Sequence, residues 1–159
     1  MKYSLDILIN QPRERVASLF ADPEHLPEWQ AGLLRYETLE GEPGTEGARS
    51  VLRYQIGKKQ FEMHETIVSR RPPEEYRMLY EARGVWNQVV NRFTEVEPGV
   101  TRWQVETEFR VRGLMWFMSL VMPGMFKTQT ENYMRQFKIF AERDGDAEAG
   151  AGGEQAVAD

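Results

Sequence analysis

Residues 101–143 read TRWQVETEFRVRGLMWFMSLVMPGMFKTQTENYMRQFKIFAER, and the hydrophobic period changes inside them. Trp103, Val105, Thr107, Phe109 and Val111 alternate with Arg102, Gln104, Glu106, Glu108 and Arg110. Successive strand side chains point to opposite faces, so this stretch is a half-buried strand. From Gly113 the spacing becomes helical. Leu114, Phe117, Met118 and Val121 form one stripe, Pro123-Gly124 interrupts it, and Phe126, Thr130, Tyr133, Met134, Phe137 and Phe140 carry it on to about Arg143. A strand feeding a long amphipathic helix predicts an α+β domain closed by that helix.

Upstream, turn signals separate further strand-like runs at 34–39, 48–56, 60–69, 75–83 and 85–96, with Gly57-Lys58, Pro72-Pro73, Gly84 and Pro98-Gly99 between them. Consecutive strands joined by short turns predict an antiparallel meander. Residues 2–10 alternate as well, with Tyr3, Leu5, Ile7 and Ile9 on one face. Pro12 with Glu14 starts a helix whose stripe is Val16, Leu19 and Phe20, and Asp22-Pro23 starts a second that ends near Trp29. The expected fold is a seven-stranded curved antiparallel sheet wrapped around a long C-terminal helix, with two short helices after the first strand.

Strand parity also assigns faces. Phe61, Met63, Glu65 and Ile67 share the inner face of one strand, and Tyr76, Met78, Tyr80 and Ala82 that of the next. Val85, Asn87, Val89, Asn91 and Phe93 share the next again. Glu65, Asn87 and Asn91 are therefore polar groups on apolar faces. Each must find partners or water. The asparagines are the expected donors to Glu65.

The 159 residues fit one domain over 1–143. All 20 Lys and Arg precede Asp144, while the tail 144–159 has five acids among Gly and Ala and is expected to be disordered. The body balances 20 acids against 20 bases, which gives no electrostatic footprint for nucleic acid. There is no cysteine, so disulfides and thiolate chemistry are excluded. The opening MKYSLDILIN lacks the apolar core of a signal peptide, and a cytoplasmic location is expected. The longest apolar-rich run, 113–126, is too short to span a bilayer core of about 30 Å. Within it, the Met115–Met125 segment with Pro123-Gly124 can act as a mobile gate or touch a membrane transiently, and its plain alternative is a kinked, packed helix start.

The order strand, two short helices, six strands and long helix carries several local phrases. They are Pro12-Arg13-Glu14-Arg15-Val16, Asp22-Pro23-Glu24, Trp29, Glu65-Thr66-Ile67, Gly84-Val85-Trp86-Asn87, Gly99-Val100-Thr101-Arg102-Trp103 and Lys138-Ile139-Phe140-Ala141-Glu142. In these the chain resembles the SRPBCC superfamily, which holds START lipid-transfer domains, birch-pollen-allergen proteins and polyketide cyclase/dehydrase proteins. It resembles most the small bacterial single-domain members. The resemblance spans about residues 1–143. It implies the helix-grip fold and a ligand between the concave face and the long helix. It implies no catalytic motif, because the superfamily hosts carriers, cyclases, hydrolases and co-chaperones alike.

The leading expectation is a binder or carrier of a small hydrophobic molecule: a lipid, an aromatic polyketide-like compound or a quinone. The alternatives are a cyclase/dehydrase- or hydrolase-type enzyme and a co-chaperone-like interaction module. The expected lining is Trp29, Tyr36, Tyr54, Met63, Glu65, Met78, Tyr80, Asn87, Asn91, Trp103, Phe117, Met118 and Val121. Glu65 is the one candidate acid/base, since a carboxyl in apolar surroundings has a raised pKa. The competing reading is a structural carboxylate bonded to Asn87, Tyr80 or Arg53. His25 and His64 show no ligand spacing, so neither a metal nor another cofactor is expected. No serine stands in a nucleophile elbow.

Overall fold

The computed structural model describes residues 1–154, with side chains through Arg143. The strands are β1 (Lys2–Ile9), β2 (Leu33–Glu40), β3 (Arg49–Ile56), β4 (Lys59–Arg71), β5 (Glu75–Ala82), β6 (Val85–Glu97) and β7 (Val100–Val111). The helices are α1 (Arg13–Ala21), α2 (Leu26–Trp29), α3 (Leu114–Val121) and α4 (Met125–Glu154), with a 3-10 turn at Pro23–His25 leading into α2. The expected acidic tail, 144–159, lies outside the residues whose side chains are described.

All seven strands form one sheet in the order β1-β7-β6-β5-β4-β3-β2, and every pairing is antiparallel. β2 through β7 are a meander, as the short turns require. β1 returns to the far edge, where Lys2 stands opposite Glu108 and Ile9 opposite Thr101. Register breaks within β2, at Ile67/Ser69 and at Glu95/Glu97 insert residues on one side of a ladder. Such bulges bend a strand and increase its twist, which curves the sheet into the helix-grip form.

Pro12 takes the capping position of α1, one residue before the first helical turn, and the N–H of Val16 reaches its carbonyl at 3.0 Å. The helical region from Gly113 is two helices. Met122 leaves the helical region before Pro123, at φ −124° and ψ 68°, because the proline ring disfavours a helical residue ahead of it, and Gly124 follows at φ 87°.

The core lies toward one end of the sheet. There α1, α2 and the C-terminal part of α4 cover β1, β7 and parts of β5 and β6. Phe137 is fully buried, and its ring centroid lies 5.0 Å from Trp103, 5.1 Å from Trp29 and 5.9 Å from Phe20. Trp29, Trp103 and Met78 belong to this aromatic cluster. α4 approaches β1 and α2 most closely among its neighbours. At the opposite end the inner faces of β4, β5 and β6 are only partly buried. Among the described residues no helix is long and apolar enough to cross a membrane.

Candidate functional site

Sheet pairing places one residue from each strand in a lateral row. Thr38 faces Ser50, Ser50 faces Glu65, Glu65 faces Tyr80, Tyr80 faces Asn87, and Asn87 faces Phe109. Five polar side chains thus cross the concave face at the less filled end of the sheet. Glu65 is buried, at 6% exposure.

The carboxylate is held by phenols. Tyr36 donates its hydroxyl proton to Glu65 Oε1 at 3.2 Å, and Tyr80 also hydrogen-bonds Glu65. The single phenolic proton of Tyr80 has a second acceptor in Met78 Sδ at 3.3 Å, a much weaker one than a carboxylate. Ser50 donates to the Tyr36 oxygen at 3.0 Å and lies 3.1 Å from the Thr38 hydroxyl. The chain Thr38–Ser50–Tyr36–Glu65 is continuous across three strands.

The expected asparagine donors are engaged elsewhere. Asn91 Oδ1 accepts the indole proton of Trp103 at 3.0 Å, and its amide reaches Met78 Sδ at 3.8 Å. Asn87 Oδ1 accepts from Thr107 at 2.7 Å. Arg53 is on the outer face in an ion pair with Glu62. The row is one residue per strand, so the nearest group to Glu65 on β5 is the tyrosine directly opposite, and the asparagines stand a strand further off.

Burial pushes the Glu65 carboxyl above its ordinary range, and the hydrogen bonds from Tyr80 and Tyr36 pull it part of the way back. Burial, with the Glu65 charge beside it, pushes Tyr36 up to about 12. Tyr80 and Tyr54 rise for the same first reason, burial. The phenols therefore remain neutral donors through the physiological range. The group offers a carboxyl that takes up a proton readily, ringed by hydroxyls that can give hydrogen bonds. That set suits either an anchor for a polar head or general acid/base work.

The remaining expected residues divide into three groups. Tyr54 lies beside the row, stacked on Phe61 at 5.3 Å and donating to Gln30 Oε1 at 2.5 Å. Met63, Tyr80 and Asn87 are partly buried on the concave side. Trp29, Met78, Asn91 and Trp103 are packed into the core instead of lining open space. The indole Nε1 of Trp29 has no partner among the described residues. Phe117 and Val121 are 56% and 61% exposed, so they face solvent and not the sheet, while Met118 is partly buried. Sequence reasoning missed Ser50, Thr38 and Tyr133. The first two alternate with apolar neighbours on β3 and β2, as Glu65 does on β4. Tyr133 is partly buried on α4, and burial pushes its phenol up as well.

Among the clefts in the described surface are two that lie away from Glu65. One of about 540 Å³ lies between α1 and the β2–β3 and β4–β5 turns, lined by Ser18, Pro23, Gly44, Arg70, Pro73 and Tyr76 among others. One of about 250 Å³ lies between β1 and α4, beside Leu5, Ile7, Glu131 and Met134. Neither is the continuous space expected between α4 and β3–β7.

The family described as polyketide cyclase / dehydrase and lipid transport matches residues 1–140, and the chain belongs to it. With it the chain falls within the SRPBCC superfamily, and binding of a ligand is the property the family description implies in common. A conserved protein from Geobacillus kaustophilus is similar in structure at a TM-score of 0.77, with 19% identity over 90% of this chain and 96% of that one. Major latex-like protein 151 from Panax ginseng is similar at 0.67, with 15% identity over 89% and 97%. Truncated norcoclaurine synthase from Thalictrum flavum is similar at 0.68, with 12% identity over 87% and 91%. At these identities the likeness is one of fold. No curated protein matches the chain.

Proposed function

We propose that this protein binds a small hydrophobic molecule with a hydrogen-bonding head, between the concave face of the sheet and α4. The head meets Glu65, Tyr36 and Tyr80, and the apolar body lies along Phe61, Met63 and Val89. A lipid, an aromatic polyketide-like compound or a quinone has this division. The observation that carries the reading is a buried carboxyl held by neutral phenols and, among the described residues, by no cation. Partial exposure of Phe61, Met63, Tyr80 and Val89 on a concave face supports it, because solvent reaches side chains that α4 would otherwise cover. The family description, with lipid transport in it, agrees.

Native mass spectrometry of the purified chain should show a co-purified small molecule. Glu65→Gln keeps the shape of the side chain and removes its charge. It should weaken retention of that molecule while leaving the circular dichroism spectrum unchanged. Unaltered retention, with a change in stability alone, would make Glu65 a structural carboxylate. A cyclase- or dehydrase-type reaction is the second reading, favoured by the raised Glu65 pKa. It requires that Glu65→Gln abolish turnover of the molecule while binding persists.

A further inference from the structure

α3 is an apolar helix with water around most of it. Leu114 is 75% exposed, Trp116, Phe117, Leu120 and Val121 are each more than half exposed, and Met122 just after the helix is 49% exposed. Only its Met115, Met118 and Ser119 side chains turn partly inward. Met115 reaches the β5–β6 turn at Gly84. Apolar side chains scattered singly over a surface are ordinary, but a contiguous cluster of this kind marks a contact site.

The charge around α3 is one-signed. The strand directions bring the β3–β4 turn, the β5–β6 turn and the end of β7 to the same end of the sheet. Residues 56–59, 82–85 and 109–130 are the segments there, and they hold six bases and no acid: Lys58, Lys59, Arg83, Arg110, Arg112 and Lys127. Arg110 is paired with Glu108 and lies over the Trp86 ring at 4.4 Å. Among the described residues no acid holds any of the other five. At the opposite end, residues 40–47, 72–75 and 94–99 hold seven acids, but bases attend them: Arg49 pairs with Glu40, Arg71 and Arg92 pair with Glu75, and Arg70 bonds the Gly44 carbonyl. Acids at that end thus find partners, whereas the bases around α3, Arg110 apart, do not, so the apolar helix sits among unpaired positive charge.

We propose that the α3 end of the protein docks on an anionic lipid bilayer, with α3 lying in the plane of the interface. An apolar patch ringed by bases complements such a surface twice over, by hydrophobic burial and by attraction to anionic headgroups. Trp116 and Trp86 are the residue type that prefers the boundary between headgroup and acyl chain. Eight residues at about 1.5 Å each give a helix of roughly 12 Å, which can lie in the interface and cannot cross it. A second copy of this chain fits less well, because a two-fold contact through α3 brings like charges together. The exposed apolar side chains of α3, with the unpaired bases beside them, set which end faces the membrane. The proposal does not depend on what lies between the sheet and α4.

The test is co-sedimentation of the full chain with extruded vesicles. Vesicles of phosphatidylglycerol and phosphatidylcholine in equal parts should bind it, and high salt should release it. Leu120→Glu and, separately, Arg112→Glu with Lys127→Glu should each lower the bound fraction about tenfold at limiting lipid. All three side chains are exposed, so the melting temperatures should match the parent. Failure of the parent chain to bind, equal binding to phosphatidylcholine alone, or variants that bind like the parent would each overturn the proposal. So would a concentration-dependent dimer in light scattering that Leu120→Glu dissolves without any vesicle binding, since it would give α3 to a second copy.

Discussion

At the scale of single residues, Glu65 sets a pH dependence whose sign follows from its surroundings. Its folded pKa lies above the ordinary carboxylate value. The folded state therefore holds the proton over a range where the unfolded chain has lost it. Stability from this group is present below the unfolded pKa and is lost as pH rises through the folded one. Glu65→Gln keeps a neutral side chain at every pH. Denaturant unfolding should show the parent weakening relative to Glu65→Gln from acid to neutral pH, by about 1.4 kcal/mol for every pH unit between the unfolded and folded pKa values. Tyr36→Phe removes a bond that favours the charged carboxyl, so it should move the titration of Glu65 to still higher pH, read from the carboxyl carbon resonance. The inward direction of Glu65 was legible in its strand, because Phe61, Met63 and Ile67 share its parity. Its partners were not. Tyr36 lies 29 residues away, and register across three strands decides which side chain stands opposite which.

Among the elements, α3 diverges most from its sequence pattern. Period and composition alone say that Leu114, Phe117 and Val121 share a stripe, and a stripe ordinarily finds a core. Nothing in the period says whether the partner belongs to the same molecule. The strands were legible to within a few residues because Gly and Pro mark their turns. The β5–β6 turn shows how firmly. Gly84 has φ 76°, and a Cβ there would stand 2.9 Å from the Arg112 carbonyl, while the N–H of Arg112 donates to the Gly84 carbonyl at 2.8 Å. Gly84→Ala should therefore cost about 1–3 kcal/mol and lower the melting temperature. Amide exchange should be faster from Leu114 to Met125 than from Lys127 to Phe140. The first segment has few buried contacts, and the second includes Met134, Phe137 and Phe140 in the core. Equal protection would place α3 among the tightly held elements.

On the scale of the whole molecule, rigidity is unevenly distributed. Phe20, Trp29, Phe93, Trp103 and Phe137 form one aromatic cluster under α1, α2 and the later turns of α4. Phe137→Ala should remove about 3–5 kcal/mol, visible as a large drop in the urea midpoint with little change in slope. The row around Glu65 borders that cluster, with Tyr36 and Tyr80 packed against its edge. The pairing of β1 with β7 bears also on the birth of the chain. A ribosome makes Lys2 before its partner Glu108, which comes about a hundred residues later. At about 5–20 residues per second, translation separates them by roughly 5–20 s. A hairpin such as β3–β4 can close within about 1–10 μs of emerging. The meander therefore grows strand by strand while β1 waits unpaired, and sheet completion is timed by synthesis. In that interval each newest strand presents an open edge, and a nascent chain stalled before Val100 carries β6 as an unsheltered template for its neighbours on the same message.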